Sequence, residues 1–454
     1  MRTPVRSRWE ELRSQMWFLP GVLVVGGAAL AEGLVRVDSA FGDTTGAAGS
    51  WLFSGSADAA RTLLSAIAGS LLTALSISFS LTMVALQQAS SQFSPRILRG
   101  FTSSRTTQLV VGAFSGTFIY ALMVLRTVRS GEDGPAFVPG LAVTVAVVLA
   151  VACIGLLVLF IHRVSQSLQV SVVVSRLRDD LLEELEALHP GRSGDPAGGP
   201  GEVPGQVAAL REELYDGPHA LVRAERGGFV RDLETRVLLS AGEEHDAGRT
   251  LTVHVRAGVG SFVARGSVVA AVAPPPAEGT LDEVRRSVVL ADERTPHRDP
   301  LFVVQQLVDV GLRALSPSTN DPTTAEHVLL HLGDALGTVA GRDLPSPVRL
   351  ARDGRLRLLV ERPDWPEHVD AAFSQLRRAG AEHVSVTLRL LEVLGALGER
   401  VPAGRAGPLL TQVRQVLELV PEQQQWTSED RRQVHERAAR LAADLARLEA
   451  SGER

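Results

Sequence analysis

Hydrophobic positions divide the chain into an apolar first third and a more charged remainder. Four apolar runs occur before residue 165, at about 16–35, 62–88, 107–126 and 138–161. Each is long enough for a helix to cross a bilayer core, which is about 30 Å thick. The pattern predicts a transmembrane domain of four helices over residues 1–165. We expect the second helix to organise this domain, since residues 62–95 contain no charged side chain.

Small and polar residues recur along the second run at spacings that place them on one face of the predicted helix. The candidates for lining a pore on this face are Ser65, Thr73, Ser76, Ser80, Gln87 and Ser91. Two interpretations stay open. The face lines a water-filled path, or its hydroxyls bond to carbonyls one turn back while the face packs on Gly112 and Gly116 of the third helix.

Arginines near the helix ends predict the orientation of the transmembrane domain. Ten lie at the amino terminus, in the loop after the second helix or after the fourth helix, and four lie in the opposite loops. Cytoplasmic loops are enriched in Arg and Lys, so we expect a multi-pass protein with both termini in the cytoplasm. The small residues Ala29 and Ala31 also fit the cleavage site of a signal peptide, which is the alternative for the first run.

Beyond the membrane domain the pattern changes several times. Residues 166–188 predict an amphipathic helical connector, and residues 189–206 predict a linker rich in Gly and Pro. Residues 220–275 predict a small β module, since positions 251–256 alternate between apolar and polar side chains. Its hairpins are similar to those of barrel-sandwich carrier domains. The chain contains no lysine, so this module cannot carry biotin or lipoate.

Two Asp-Pro pairs mark helix starts in a helical region over residues 282–340. Asp is a preferred N-cap and Pro suits the first helical position, so helices are predicted after Asp299 and Asp321. The polar turn between them, together with the positive end of the second helix, can receive an anion. The candidate anion-binding residues are Arg294, Arg313, Asn320, Asp321, Thr323 and Thr324. The alternative is a rigid, capped corner between two core helices.

Residues 350–454 predict a C-terminal α/β and helical region. Apolar side chains of the last helix, about 428–450, form a short heptad seam: Val434, Ala438, Leu441, Leu445 and Leu448. The seam packs on its own domain or on another subunit. The predicted fold class is an α-helical membrane domain of four transmembrane helices, followed by a cytoplasmic α+β region with a small β-barrel-like module.

Several short motifs resemble those of one protein family. In the first half they are Trp17-Phe18-Leu19-Pro20, Phe79-Ser80-Leu81-Thr82 and Gln92-Phe93-Ser94-Pro95-Arg96. In the second half they include Asp299-Pro300 and Asn320-Asp321-Pro322-Thr323-Thr324-Ala325. Over nearly its whole length the chain resembles the predicted bacterial membrane proteins of domain-of-unknown-function family 2254. The resemblance implies a protein of the bacterial inner (plasma) membrane with a cytoplasmic domain, and it implies no activity.

The sequence offers little for catalysis or metal binding. A single cysteine, Cys153, leaves no disulfide framework, and the net charge of −5 does not favour a nucleic-acid partner. His327 and His331 lie four residues apart, a spacing that can hold a metal, but no third ligand accompanies them. We find no nucleophile elbow and no nucleotide-binding loop. We therefore expect no enzyme, no cofactor, no metal site and no nucleic-acid partner.

Two functions are consistent with this pattern. The first is an oligomeric channel or passive permeation pathway with a cytoplasmic regulatory domain. Coupled pumps are disfavoured, because no spanning segment has an ionisable side chain near its centre. Four such helices cannot easily enclose a pore alone, so a channel requires a homo-oligomer in the lipid bilayer. The alternative is a non-conducting membrane scaffold or sensor whose cytoplasmic domain binds a partner or a small anion.

Overall fold

A computed structural model describes residues 17–41, 53–92, 105–130, 137–167, 169–188, 203–241, 246, 249–342, 347–350, 356–422 and 425–452. The chain divides into two units, Met1–Val172 and Val173–Arg454. Each unit has its own hydrophobic core and its own set of secondary-structure elements.

The first unit consists of four apolar helices. They are α1 (Phe18–Phe41), α2 (Ala57–Gln92), α3 (Arg105–Thr127) and α4 (Gly140–Ser167). All four are long and apolar enough to cross a membrane, so the four helices predicted from hydropathy are confirmed. The third helix is central, because α3 is the most buried of the four and makes the most extensive contacts with each of the other three.

Glycines let α1 and α3 approach each other closely. Backbone atoms of Leu23 stand where a side chain at Gly116 would begin, and Gly112 faces Leu23 and Pro20. On the other side of this contact, Gly27 of α1 faces Gly116. Small residues permit this approach between membrane helices. The Gly112–Gly116 motif therefore joins α3 to α1, and not to the polar face of α2 as one of the two interpretations of that face proposed.

Polar groups at the helix ends bond across to neighbouring helices. The Asp38 carboxylate of α1 accepts hydrogen bonds from the N–H groups of Leu141, at 3.2 Å, and Ala142, at 3.0 Å. The positive end of the α4 dipole stabilises a carboxylate at this position. Arg61 of α2 donates to the carbonyl of Val128, just after α3, at 3.1 Å. These bonds join the end of α1 to α4 and the start of α2 to the end of α3.

The second unit mixes helices and strands. Its helices are α5 (Val170–Leu188), α6 (Val203–Asp216), α7 (Thr235–Ser240), α8 (Glu278–Ser287), α9 (Pro300–Ala314), α10 (Pro322–Val339), α11 (Trp365–Ala379), α12 (Val384–Gly398), α13 (Gly407–Leu419) and α14 (Ser428–Gly452). Its strands are β1 (Ala220–Arg223), β2 (Gly228–Leu233), β3 (Leu251–Val255), β4 (Phe262–Val263), β5 (Val268–Ala273), β6 (Val288–Ala291), β7 (Val348–Leu350) and β8 (Leu356–Val360). The mixture of helices and strands predicted for this part of the chain is confirmed.

The strands form two open sheets. The larger sheet has the order β1-β5-β3-β8-β7, and the smaller sheet has the order β4-β2-β6. Strands β3 and β8 pair in parallel, whereas the other neighbours are antiparallel. The described strands do not close into a barrel, so the prediction of a small β-barrel-like module is wrong. Alternating apolar and polar side chains show only that one face of a strand is buried. An open sheet covered by helices on one face gives the same pattern as a barrel.

Six helices near the carboxyl end stack in two layers. Helices α9, α11 and α13 follow one another in one layer, and α10, α12 and α14 follow one another in the other. Stacked helix pairs of this kind build α-solenoids. In the heptad seam of α14, Val434, Ala438 and Leu445 are buried against this stack. The seam therefore packs within its own unit.

Candidate ligand-binding site

His254 lies near the carboxyl end of β3, beside the carboxyl end of the parallel strand β8. Successive side chains of a strand point to opposite faces, so His254 lies on the face opposite Val253 and Val255. All five residues of β3 are buried, because the apolar core covers one face and α6 contacts the strand as well.

A chain of hydrogen bonds runs through the buried ring of His254. The Tyr215 hydroxyl of α6 lies 2.9 Å from Nδ1, and a carboxylate oxygen of Glu361, directly after β8, lies 3.3 Å from Nε2. A carboxylate only accepts, so these partners assign the proton of the neutral ring to Nε2, and Tyr215 donates to Nδ1. The His254 side chain is 5% exposed and that of Glu361 is 48% exposed. The chain thus links a buried imidazole to a carboxylate that solvent reaches.

Arginines flank this chain of hydrogen bonds. Arg211, one turn before Tyr215 on α6, donates to the same Glu361 oxygen at 2.9 Å. Arg256, two residues after His254, is exposed and forms no ion pair within the described part of the chain. We call these residues the His254 site: Arg211, Tyr215, His254, Arg256 and Glu361.

The charge of His254 follows from this environment. Burial lowers the pKa of His254, and the positive charges of Arg211 and Arg256 lower it further, while the Glu361 carboxylate acts in the opposite direction. The imidazole is therefore neutral at neutral pH, in agreement with the proton on Nε2. A neutral ring with one donor and one acceptor serves both Glu361 and Tyr215.

The His254 site has donors suited to a small anion. A guanidinium N–H of Arg211 and the imidazole N–H of His254 both point at one oxygen of Glu361. Charge-assisted donors of this kind bind carboxylate and phosphate oxygens. Because Glu361 is half exposed, its side chain can rotate into solvent and a ligand oxygen can take the same position. Arg256 would then contribute the second positive charge.

The corner predicted to bind an anion is closed by its own side chains. The Asp321 carboxylate caps α10, accepting from the N–H of Thr324 at 3.2 Å and from its hydroxyl at 2.6 Å. Asn320 adopts a φ of +45° at this turn, and both Asn320 and Thr323 are exposed. A carboxylate of the chain itself thus already sits at the positive end of α10.

Arg294 lies away from this corner. It pairs with Asp299 through two bonds of 2.6 and 2.9 Å, and its guanidinium carbon is 5.1 Å from the ring centroid of Phe302. This pair lies at the start of α9, and the corner follows its end. The 15 residues of α9 span roughly 22 Å. The exposed Arg313, in the last turn of α9, lies close to the corner in the chain, so the structure unites only part of the predicted set.

The predicted pore-lining residues lie on the outer face of the four-helix unit. Those with described side chains are all exposed: Ser65, Thr73, Ser76, Ser80 and Gln87. The side chain of Ser91 lies outside the described residues. The hydroxyls of Thr73 and Ser76 donate to carbonyls one turn back at 3.0 Å. The core of this unit is apolar, so the polar face of α2 does not line the interior of a single chain.

Sequence reasoning missed the His254 site. Tyr215 and Glu361 lie 39 and 107 residues from His254, and no local spacing connects side chains that far apart. The alternation along β3 predicted that His254 lies on the exposed, polar face of the strand. In the structure α6 packs against this face, and His254 is buried. The signal present in the sequence was a lone histidine between valines in a strand.

Comparison with known proteins gives the family. The model described as "Predicted membrane protein (DUF2254)" matches residues 13–396. The chain is 31% identical over 415 residues to uncharacterized protein MT1328 of Mycobacterium tuberculosis (strain CDC 1551 / Oshkosh), covering 89% of this chain and 76% of that protein. It is also 31% identical over 417 residues to uncharacterized protein Mb1321c of Mycobacterium bovis, with the same coverage. No solved structure matches the chain. The chain belongs to the DUF2254 family of predicted membrane proteins.

Proposed function

We propose that this protein is a membrane-anchored sensor whose second unit binds a small carboxylate or phosphate at the His254 site. The observation that carries the proposal is the internal carboxylate of Glu361, held at 2.9 Å by Arg211 and at 3.3 Å by His254. A site that holds a carboxylate of the chain with two N–H donors has the geometry to hold one from a ligand. Four apolar helices of membrane-spanning length provide the anchor.

Ligand binding at this position changes contacts between separate elements of the second unit. Glu361 lies between β8 and α11, and its carboxylate holds Arg211 of α6. A ligand that replaces this carboxylate releases α6 from the segment leading into α11. Helix α11 belongs to the stacked helix pairs, and stacks of this type use their surfaces to bind partners. In one arrangement Glu361 holds Arg211, and in the other the ligand has replaced Glu361. The ligand favours the second arrangement to the extent that it binds that arrangement more tightly than the first.

Calorimetric titration of the full chain in nanodiscs, with phosphate or succinate as the probe, tests the proposal. We expect Arg256→Gln to weaken binding by about tenfold, since a charge-assisted hydrogen bond is lost. We expect Glu361→Gln to tighten binding, because a neutral amide competes less well than a carboxylate for Arg211 and His254. Partial unfolding would weaken binding in both variants. Weaker binding in Arg256→Gln together with tighter binding in Glu361→Gln therefore indicates an effect at the site itself.

Arg437→Gln is the matched control, since Arg437 is an exposed arginine on α14, away from the site in the chain. This variant should bind the probe like the wild type. If neither the wild type nor Glu361→Gln binds phosphate or succinate, the proposal fails. An equal loss in Arg437→Gln and Arg256→Gln would mean that the probe screens charge without occupying a site.

A second candidate function is an oligomeric permeation pathway, and one observation favours it. The polar face of α2 is exposed on the outside of the four-helix unit. Copies arranged around an axis could direct this face at a shared aqueous path. The intrahelical bonds of Thr73 and Ser76 weaken the argument, because hydroxyls satisfied by their own helix tolerate lipid as well as water.

Thiol labelling distinguishes the two surroundings of this face. In a Cys153→Ala background, single cysteines at Thr73, Ser76 and Ser80 should react with a water-soluble reagent if the face lines an aqueous path. Val151→Cys is the control, because Val151 is an exposed apolar residue on a different helix, α4. Unreactive cysteines at all three polar positions, together with no ion flux into liposomes, would exclude permeation and leave the sensor proposal untouched.

A further inference from the structure

An aromatic pair lies on the smaller sheet, with Phe262 exposed and Phe229 half-buried. Phe262 of the edge strand β4 is 63% exposed, and its ring meets Phe229 of β2 edge to face, with centroids 5.2 Å apart. The neighbouring side chains Val230 and Val263 point to the opposite face and are buried in the core of the unit. The two phenylalanines therefore stand on the face of the sheet that the core does not cover.

Unpaired positive charge accompanies these rings. Arg231 follows Phe229 by two residues on β2, at a bulge in the pairing with β6, and its side chain is exposed next to the buried Val230. Arg265 lies in the turn directly after β4. Both are exposed, and neither forms an ion pair within the described ranges of the chain. Arg226 lies nearby, but its charge is balanced by Asp292 at 3.3 Å. We call Phe229, Phe262, Arg231 and Arg265 the Phe262 surface.

We propose that the Phe262 surface docks on a bilayer surface containing anionic lipid headgroups. Aromatic rings with a polar surround favour the boundary between headgroups and acyl chains. Arginine binds phosphate oxygens with charge-assisted bonds, and each basic residue near an anionic surface adds to the attraction. The surface combines both features: an exposed phenylalanine at the edge, and two arginines that pair with no carboxylate of the described residues. The inference does not depend on the His254 site.

Because the four apolar helices anchor the chain, a docking surface of low intrinsic affinity is sufficient to bind the bilayer. The chain carries four helices of membrane-spanning length, so the second unit is tethered to the bilayer that these helices would cross. Tethering raises the effective concentration of a second contact far above that of a free partner. A free soluble protein would have to bind the same small surface without this advantage. The charge and the tether therefore both favour the bilayer as the occupant.

Site-directed spin labelling of the full chain tests the proposal. A label at Ala264→Cys, in a Cys153→Ala background, reports beside Phe262 and leaves that residue in place, since Ala264 is an exposed position in the adjoining turn. The chain is placed in nanodiscs of phosphatidylcholine, alone or mixed with phosphatidylglycerol. In mixed discs we expect high access to oxygen and low access to a water-soluble nickel chelate. The double variant Arg231→Gln/Arg265→Gln should reduce the docking equilibrium constant, the ratio of docked to undocked protein, by roughly fivefold per arginine.

A label at Leu330→Cys is the control, because Leu330 is an exposed apolar residue on α10. This label should stay accessible to the nickel chelate in both kinds of disc. Phe262→Ser should release the label at 264 in mixed discs even with both arginines present. Equal nickel access at 264 in the two lipids overturns the proposal. Protection of the label at 264 from the nickel chelate that does not depend on phosphatidylglycerol, and that is lost when the protein is diluted, also overturns the proposal. A second protein copy would then cover the surface.

Discussion

The hydroxyl of Tyr215 lies 2.9 Å from Nδ1 of His254 and so joins helix α6 to the middle strand of the larger sheet. The two rings also meet edge to face, with centroids 5.9 Å apart. Tyr215 thus contacts His254 both as a hydrogen-bond donor and as a ring. The two contributions can be separated, because phenylalanine keeps the ring and removes the donor.

Tyr215→Phe should destabilise the second unit by about 1 kcal/mol, since it leaves the buried acceptor of His254 without its donor. The measurement is thermal unfolding followed by tryptophan fluorescence, because Trp365 and Trp426 are both buried in this unit. Tyr120→Phe is the matched control. It removes a hydroxyl bonded to the Ala142 carbonyl in the first unit, so it should leave the transition of the second unit unchanged.

Stability of the second unit should fall as the pH drops below about 6.5, the ordinary pKa of histidine. Burial lowers the pKa values of His254, His331 and His368, so the unfolded chain binds more protons than the folded chain in this range. The stabilisation is complete above the ordinary pKa and is lost as the pH falls through the lowered folded values. Thermal midpoints measured from pH 8 to pH 5 (roughly the range over which histidine titrates) check the direction.

His368→Gln isolates one of these groups, since His368 is nearly fully buried. The difference in midpoint between this variant and the wild type should narrow as the pH falls, because only the wild type loses stabilisation by protonation at position 368. Burial raises the pKa of Glu184 and acts in the opposite direction on the total stability, but it cancels in this difference. A pH-independent difference would contradict the prediction.

Gly116→Ala should weaken the contact between α1 and α3. The added Cβ would stand 2.6 Å from the carbonyl oxygen of Leu23, so the backbones must separate, at a cost of about 1–3 kcal/mol. Gly155→Ala on α4 is the control, since nothing lies within 4 Å of its Cβ position. Unfolding in detergent should show loss of stability in the first variant alone. Equal midpoints would mean that α1 does not pack on α3 through this glycine.

The helices and their caps could be predicted from the sequence because both depend on residues close together in the chain. Hydropathy over about twenty residues identifies a membrane-length helix without any tertiary information. Asp299 and Asp321 cap α9 and α10 as their Asp-Pro pairs predict, with the Asp side chains accepting from Phe302 and Thr324. An N-cap acts within a single turn of helix. These local features needed no knowledge of which surfaces would meet.

Which strands pair, and which side chains other elements cover, was decided by the tertiary structure alone. Strand β8 pairs with β3 although a long stretch of chain separates them. This pairing belongs to an open sheet, where the sequence predicted a barrel-like module, and it places Glu361 beside His254. Burial of His254 and exposure of the polar face of α2 likewise depend on which other elements lie against them. Alternation and helical spacing show that one face differs from the other, and they do not say what covers either face. That information lies in contacts between residues far apart in sequence, and only folding brings those residues together.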